Sequence, residues 1–467
     1  MKKVSLYLPI ELKTRELAPK IFLSLIAAKK NLRVYLGTQA TISRIINTKR
    51  EVGGVYFFKG GLSLDLVKNI KKKCSKFIIL DEEAGPGDDN PRLTMRDRIN
   101  KNIEQEIDRY YILGKKNFDI AKKIFLNFRQ SLVLSGWPRI DFFRLLAKQK
   151  KNNLNVRNIK KKYGEYILFV SDFGQNSKKI VSYTNQMYKK IYKNNKNLQN
   201  KIYKTNLEIF KEFNEVVNLL LELDMDNSIP MIIIRPHPSE DHEPWERLSK
   251  KLKRFKVIIE GEITPWINGS KAILHRGCST SIQAYLGNIP QGYIVKNKKS
   301  IRKALPYTLS KKLYSLEDVK KFCQNLTSVK SNKHYKNDNH LLKKEFNKVI
   351  QIEKKFASEI IVEDIIKMNL AKEDIFKPDI LTIIKNWVKN FIHNYNVGSF
   401  ILKNLLLNYT NNVYERKIDR IVSQHQKIPF GIRLKDINNE ISNYKFKDKI
   451  IVKQILKNTF LIEKKNS

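Results

Sequence analysis

The chain alternates, twice over, between short runs of β-branched, aromatic and leucine residues and longer stretches of helical spacing, and few architectures accommodate that rhythm. In the first pass the short runs are VSLYLPI (4–10), LRVYLG (32–37), GVYFFK (54–59), KFIILD (76–81), RYYILG (109–114) and LVLSG (132–136). Each reads as a buried strand. Between the first two lies RELAPKIFLSLIAAK (15–29), placed as a crossover helix would be. The polar, basic stretch 149–165 (QKKNNLNVRNIKKKYGE) reads as a linker or hinge. The rhythm then restarts with YILFVSD (166–172), MIIIRPH (231–237), KVIIE (256–260), AILHR (272–276) and QGYIV (291–295), with long helical runs between about 178 and 224. Strands separated by helices build parallel, doubly wound sheets.

From about 338 strand signals give way to Lys/Asn-rich amphipathic runs such as ILTIIKNWVKNFIHNYNV (380–397) and SFILKNLLLNY (399–409). The expected division is a first Rossmann-like lobe over 1–150, a second over 151–335, and a basic, mainly helical extension over 336–467. The extension can pack back on the lobes, the preferred reading, or lie on a membrane as basic amphipathic helices do. No repeat of fixed period is visible.

A chain of 467 residues has room for two domains and a tail. Its 42% apolar and 10% aromatic content excludes disorder, and three cysteines at unrelated spacings (Cys74, Cys278, Cys323) give neither a disulfide framework nor a zinc pattern. A reducing compartment fits. The formal charge of +44, from 90 Lys+Arg against 46 Asp+Glu, suggests anionic partners: nucleic acid, a membrane face or phosphorylated substrates. Compositional drift toward Lys, Asn and Ile accounts for part of it. The basic stretches lack the interleaved aromatics of nucleic-acid readers, which argues against that partner. The opening MKKVSLYLPIEL has no signal-peptide core, and IFLSLIAA (22–29) is too short to span a bilayer. The expected location is cytoplasmic, or peripheral on the inner face of the cytoplasmic membrane.

Ligands of open α/β sheets collect beyond the carboxyl ends of the strands, so residues after each strand are the candidates. Asp81-Glu82-Glu83 precede Ala84-Gly85, a concentrated acidic strand end where a general base could be held; a solvated acidic turn is the alternative. Arg235-Pro236-His237-Pro238 follows MIII. Two prolines aim the imidazole, and Arg and His together can grip a phosphate oxygen. Ser239, Glu240 or Asp241 could cap a helix near Pro244. His275-Arg276-Gly277-Cys278-Ser279-Thr280-Ser281 runs from a strand into a helix, where free N–H groups and three hydroxyls make an anion site; plain N-capping by Ser279 is the alternative. Ser135-Gly136-Trp137-Pro138-Arg139-Ile140-Asp141 closes the first lobe, with Gly136 and Arg139 expected to face the cleft. There is no GxxxxGK[ST] and no GxGxxG, no metal-ligand spacing, and Asp224-Met225-Asp226 reads as a turn. Neither a cofactor nor a metal is expected.

Taken in order, DEEAG, SGWPRID, IIIRPHPSED and HRGCSTSIQAYLGNIP resemble the bacterial surface-carbohydrate (surface polysaccharide and lipopolysaccharide) biosynthesis proteins, glycosyltransferase-like enzymes of GT-B fold similar to sialyl- and Kdo-transferases. The resemblance covers roughly 1–330. It implies two Rossmann-like lobes facing a cleft, with Glu82 or Glu83 as the base that activates the acceptor hydroxyl. It further implies His237 as ligand to the phosphate of a CMP-sugar, and Ser279, Thr280 and Ser281 as the nucleotide-side anion site. Ala84 between the acids and Gly85 departs from the pattern and leaves open which carboxylate acts. The implied partners are a nucleotide-sugar donor, a glycan or lipid-linked acceptor, and peripheral contact with an anionic membrane. SGWPRID with the later His-Pro also looks like the CDP-glycerol glycerophosphotransferases. A UDP-sugar epimerase and a non-catalytic scaffold at the membrane are the further alternatives.

Overall fold

In the computed structural model the described residues are 2–60, 63–82, 85, 86, 88, 90–99, 101–148, 154–238, 240–259, 261–295, 304–326, 340–394, 428, 431–442, 444 and 449–465. They form two compact units, one from 1–85, 90–142 and 347–467, the other from 86–89 and 143–346. The second is thus inserted in the sequence of the first.

The first unit is an eight-stranded sheet. Six strands, β1 (Ser5–Ile10), β2 (Arg33–Thr38), β3 (Val55–Phe58), β4 (Lys76–Leu80), β5 (Arg109–Ile112) and β6 (Leu132–Leu134), run parallel in the order β2-β1-β3-β4-β5-β6. Helices follow each of the first five, as crossovers require. Both faces of β1 and β3 are buried, which is why these strands read as unbroken apolar runs. Helix Lys13–Lys29 has no side-chain cap on Leu12; Glu16 reaches back to accept the amides of Glu11 and Leu12, both at 3.2 Å.

The expectation that strands cease after 338 is corrected. β13 (Ile450–Leu456) and β14 (Thr459–Lys464) form an antiparallel hairpin, and β14 pairs antiparallel with β2 from Thr459↔Gly37 to Ile462↔Val34. Short apolar runs, IIV and IL in IIVKQIL and FLI in TFLIEK, carry it, hidden among lysines. Other described parts of this region also pack on the unit. Helix Ala357–Lys367 lies on helix Lys13–Lys29, and Glu373 joins the buried Lys49 at 2.5 Å and the Tyr7 hydroxyl at 3.3 Å.

The second unit is a six-stranded, all-parallel sheet of β7 (Ile167–Val170), β8 (Ile232–Arg235), β9 (Lys256–Val257), β10 (Ala272–His275), β11 (Gln291–Ile294) and β12 (Lys311–Leu313), in the order β12-β11-β10-β7-β8-β9. Counted within the unit this is the dinucleotide-fold order, reversing between its first and fourth strands. Apolar clusters cover both faces. Phe213, Leu220 and Trp245 lie on one; Tyr166, Trp266 and Ile267 lie on the other. The linker reading of 149–165 is also corrected, since Leu154–Tyr163 is a helix. Val156, Ile159 and Tyr163 fall on one face of it, and Tyr163 meets Trp266 with ring centroids 5.5 Å apart. Residues 149–153 lie outside the described set.

The expected class, α/β with two doubly wound parallel Rossmann-like sheets as in a GT-B-like fold, is the class observed.

Candidate functional site

In the second unit the strand order reverses between β7 and β10, and the crevice beyond their carboxyl ends is where such a sheet holds a ligand. The residues after β10 form one wall. Gly277 has φ +130, a conformation that side chains disfavour, and it turns the chain into helix Thr280–Leu286. Ser279 occupies the N-cap position but its side chain makes no capping bond, which removes the plain-capping reading. Thr280 and Ser281 are buried, and among the described residues their hydroxyls have no hydrogen-bond partner; the same holds for the carboxamide of Gln283 one turn on. Buried polar atoms are nearly always satisfied in a finished interior, so three such groups at the start of the helix that follows β10 fit a ligand site.

His275 and Gly277 contribute differently from expectation. The imidazole is wholly buried, its Nδ1 accepts the Gly277 amide at 3.0 Å, and its Nε2 lies 2.8 Å from the Ser310 hydroxyl. Burial pushes the ring down to about pH 3, so it is neutral, with Nε2–H donating. Both nitrogens and the Gly277 amide are therefore engaged inside the protein. His275 shapes the turn instead of gripping an anion.

The loop after β8 forms the next wall, one strand beyond β7. His237 is partly exposed while its backbone is locked. Its amide donates to the Ser171 hydroxyl at 2.8 Å, and its carbonyl accepts the Glu240 amide at 3.0 Å. Glu240, fully buried, is the centre of this network. Its carboxylate accepts from Ser171 at 2.7 Å, the Phe173 amide at 2.7 Å and the Trp245 indole at 2.8 Å. Burial pushes its carboxyl up to about 7, against the pull of these three donors. Asp241 holds the amide of Glu243 at the start of the next helix, the structural role expected of it. Ser239 lies outside the described residues.

Arg235 is corrected. It is buried, donates to the Gly261 carbonyl at 2.7 Å and stacks over Trp266 at 5.2 Å, so it braces the sheet edge. Arg276 is likewise buried, paired with Glu212 and lying over Phe173. Ser171 and Phe173 were missed by sequence reading, and Glu240 was read only as a possible helix cap; the SD following a buried strand, seven residues before a helix, was the only signal of the network. Asp224 accepts the amides of Lys253, Arg254 and Phe255, a structural role as expected.

In the first unit the acidic strand end divides. Asp81 is buried in an ion pair with Arg98 at 2.6 Å, so its carboxylate is committed to structure and it is withdrawn as a candidate base. Glu82 is partly exposed and accepts the Trp137 indole N–H at 2.7 Å, with Arg15 4.0 Å from its other oxygen. Glu83 lies outside the described residues. DEEAG and SGWPRID thus meet through Glu82 and Trp137. Arg139 is buried and stacks on Trp137 at 5.6 Å, and Gly136, at φ +79, would bring a Cβ within 2.9 Å of the Gln351 carbonyl. Both are packing positions and not the open ones expected. Asp141 caps helix Ala357–Lys367 through Ser358 at 2.8 Å.

No family model matches the sequence, and no curated protein matches it. Among solved structures, the S. aureus MnaA–UDP co-structure is similar at a TM-score of 0.47 and 12% identity, covering 80% of this chain and 100% of that one. UDP-GlcNAc 2-epimerase from Methanocaldococcus jannaschii, in complex with UDP-GlcNAc and UDP, gives 0.45 and 14% over 78% and 99%. The wall teichoic acid polymerase TagF gives 0.43 and 11% over 78% and 88%. A likeness at this level specifies no substrate.

Proposed function

We propose that the protein is a metal-independent glycosyltransferase of surface-polysaccharide biosynthesis, moving a sugar from a nucleotide-activated donor, a CMP-sugar, to a glycan or lipid-linked acceptor. The observation that supports this reading is at the carboxyl ends of the second unit's strands, where the loop after β8 holds a backbone-locked, partly exposed His237 and the helix after β10 begins with the unpartnered buried hydroxyls of Thr280 and Ser281. Neutral hydroxyls, amides and an imidazole suit the single phosphate of such a donor, whose charge grows as it leaves. In the proposed reaction the acceptor oxygen loses its proton to a carboxylate and attacks the anomeric carbon. The bond from that carbon to the phosphate oxygen breaks, and CMP departs with the bonding pair, stabilised by His237. Glu82 or Glu83 is the proposed base, since Asp81 is already paired, and Glu82, partly exposed, is the one tested.

Thermal-shift measurements against CMP, CDP, UDP, GDP, CMP-Kdo, CMP-sialic acid and CDP-glycerol test the donor. A ligand bound only by the folded state raises the melting temperature. The expected result is a cytidine-selective shift, largest for a CMP-sugar and lost in His237→Ala. Glu82→Gln should keep the shift while transfer falls by about 10²–10⁴ in kcat. A shift largest with CDP-glycerol would move the reading to glycerophosphotransfer, with a uridine nucleotide to an epimerase, and with none to a scaffold.

A further inference from the structure

Helices Lys178–Ile191 and Lys196–Met225 of the second unit form an antiparallel pair joined at 192–195. The longer helix covers the sheet from Glu212 onward. There Glu212 pairs with the buried Arg276 just past β10, and Phe213 meets Phe173, three residues past β7, with ring centroids 5.3 Å apart. Residues 196–211 therefore project past the carboxyl ends of the strands, by about 24 Å at 1.5 Å per residue. In this arm a buried seam joins the two helices, the Asn206 carboxamide donating to that of Asn185 at 2.8 Å. Its root is tied to the loop that carries His237. Asn176, next to the capping Ser177, donates to the Asp241 carbonyl at 2.6 Å and accepts the Asp241 amide at 3.1 Å.

The charge of the arm is uncompensated. Over 177–211 there are nine lysines, all exposed, against one carboxylate, Glu208. That net +8 in 35 residues compares with about +3 for an average stretch of the same length in a chain of +44 over 467, so a general drift toward lysine does not account for it. Among the described residues neither the nine lysines nor Glu208 forms an ion pair. The neighbouring carboxylates Asp172, Glu212, Glu240 and Asp241 belong to the root and are engaged there. Tyr183, Tyr192 and Tyr203 stand exposed among the lysines. A tyrosine ring offers a flat apolar face with a hydroxyl at its edge, which suits a sugar ring. Arginine is absent from 177–211, and with it the fork that grips a single phosphate or a base edge. Lysine point charges spaced along two helices suit charges spaced along a chain. We propose that this arm holds a linear anionic glycan, a sugar polymer bearing carboxylate or phosphate groups, and leads it to the carboxyl ends of the strands. The acceptor is then such a polymer, an assignment that rests on the transferase reading; the binding itself does not.

The test compares two sets of substitutions that remove the same charge. Lys190→Gln, Lys196→Gln and Lys204→Gln are combined in the arm, and Lys68→Gln, Lys116→Gln and Lys123→Gln at exposed positions of the first unit. Full-length proteins are titrated into labelled polysialic acid and polyphosphate, the carboxylate and phosphate probes, with neutral dextran, oligothymidylate and phosphatidylglycerol vesicles alongside. The expected result is binding of one or both polyanions and not of dextran, weakened about tenfold or more by the arm set and less than about twofold by the control set. Both sets should keep the melting temperature and the cytidine shift of the wild type. Equal weakening by the two sets, or no binding of either polyanion, overturns the proposal. Tighter binding of oligothymidylate overturns it in favour of a nucleic acid, and of the vesicles in favour of a lipid surface. Arm-dependent binding in a wild type that shows no cytidine shift keeps the glycan arm and removes the acceptor assignment along with the donor reading. A cytidine shift without arm-dependent binding removes the arm and leaves the donor reading standing.

Discussion

His275 and Glu240 brace neighbouring walls of the second unit's crevice, and their buried side chains respond to pH with opposite signs. Burial lowers His275 from 6.5 to about 3, so between those values the unfolded state binds the extra proton. Its contribution is fully present above 6.5 and is lost as pH falls. Glu240 is raised from 4.5 to about 7, so the folded state keeps a proton that the unfolded state has released. Its contribution is fully present below 4.5 and is lost as pH rises through about 7. Between 4.5 and 6.5 the two slopes, each roughly 1.4 kcal/mol per pH unit, oppose one another. Glu240→Gln should unmask a stability that climbs with pH across this window, and His275→Gln one that declines. Calorimetric melting temperatures at three pH values in the window decide it; parallel profiles for wild type and both variants would show that neither group titrates there. The same residues mark what sequence could tell. His237 was legible because two local prolines frame it, while Glu240 read only as a possible helix cap, since Ser171 lies 69 residues away. Asp81 was misjudged for a related reason, its partner Arg98 being 17 residues on.

At the level of elements, the hairpin β13–β14 protects the edge of β2, whose unpaired amides and carbonyls would otherwise template association. Phe460, Leu461 and Ile462 are fully buried. Ile462→Ala should therefore cost about 2–4 kcal/mol. Removal of 445–467 should leave β2 open and produce aggregation on mild heating. Urea unfolding and light scattering check both, and a truncated chain that stays monomeric with an unchanged midpoint would refute the role. The hairpin escaped sequence reading because its turn is Lys457-Asn458, with Asn458 at φ +66, where an Asn-Gly or Asp-Gly signal was wanting. The helix Leu154–Tyr163 escaped because only Val156, Ile159 and Tyr163 carry its apolar face through a basic run. The parallel strands were plain because burial on both faces makes them continuous apolar runs.

For the whole molecule, the arrangement along the chain bears on independence of folding. The second unit is drawn almost entirely from 143–346, and residues 86–89 are all it takes from elsewhere. Among the described residues its six strands pair only with one another, and apolar clusters flank its sheet on both faces. A chain of that length buries enough surface to be stable alone. Among the described residues, what a fragment 143–346 would lose includes the hydrogen bond from the Leu305 amide to the Pro86 carbonyl at 3.1 Å, of the order of 1 kcal/mol. The fragment should unfold in one cooperative transition. His237, Glu240, Thr280 and Ser281 all lie within it, so it should also show the cytidine-dependent thermal shift of the full chain. Circular dichroism melts with and without CMP measure both properties. A fragment with no cooperative transition would mean that the inserted unit relies on the first for its stability. A folded fragment that ignores CMP, beside a full chain that responds, would mean that residues outside 143–346 are needed to hold the nucleotide.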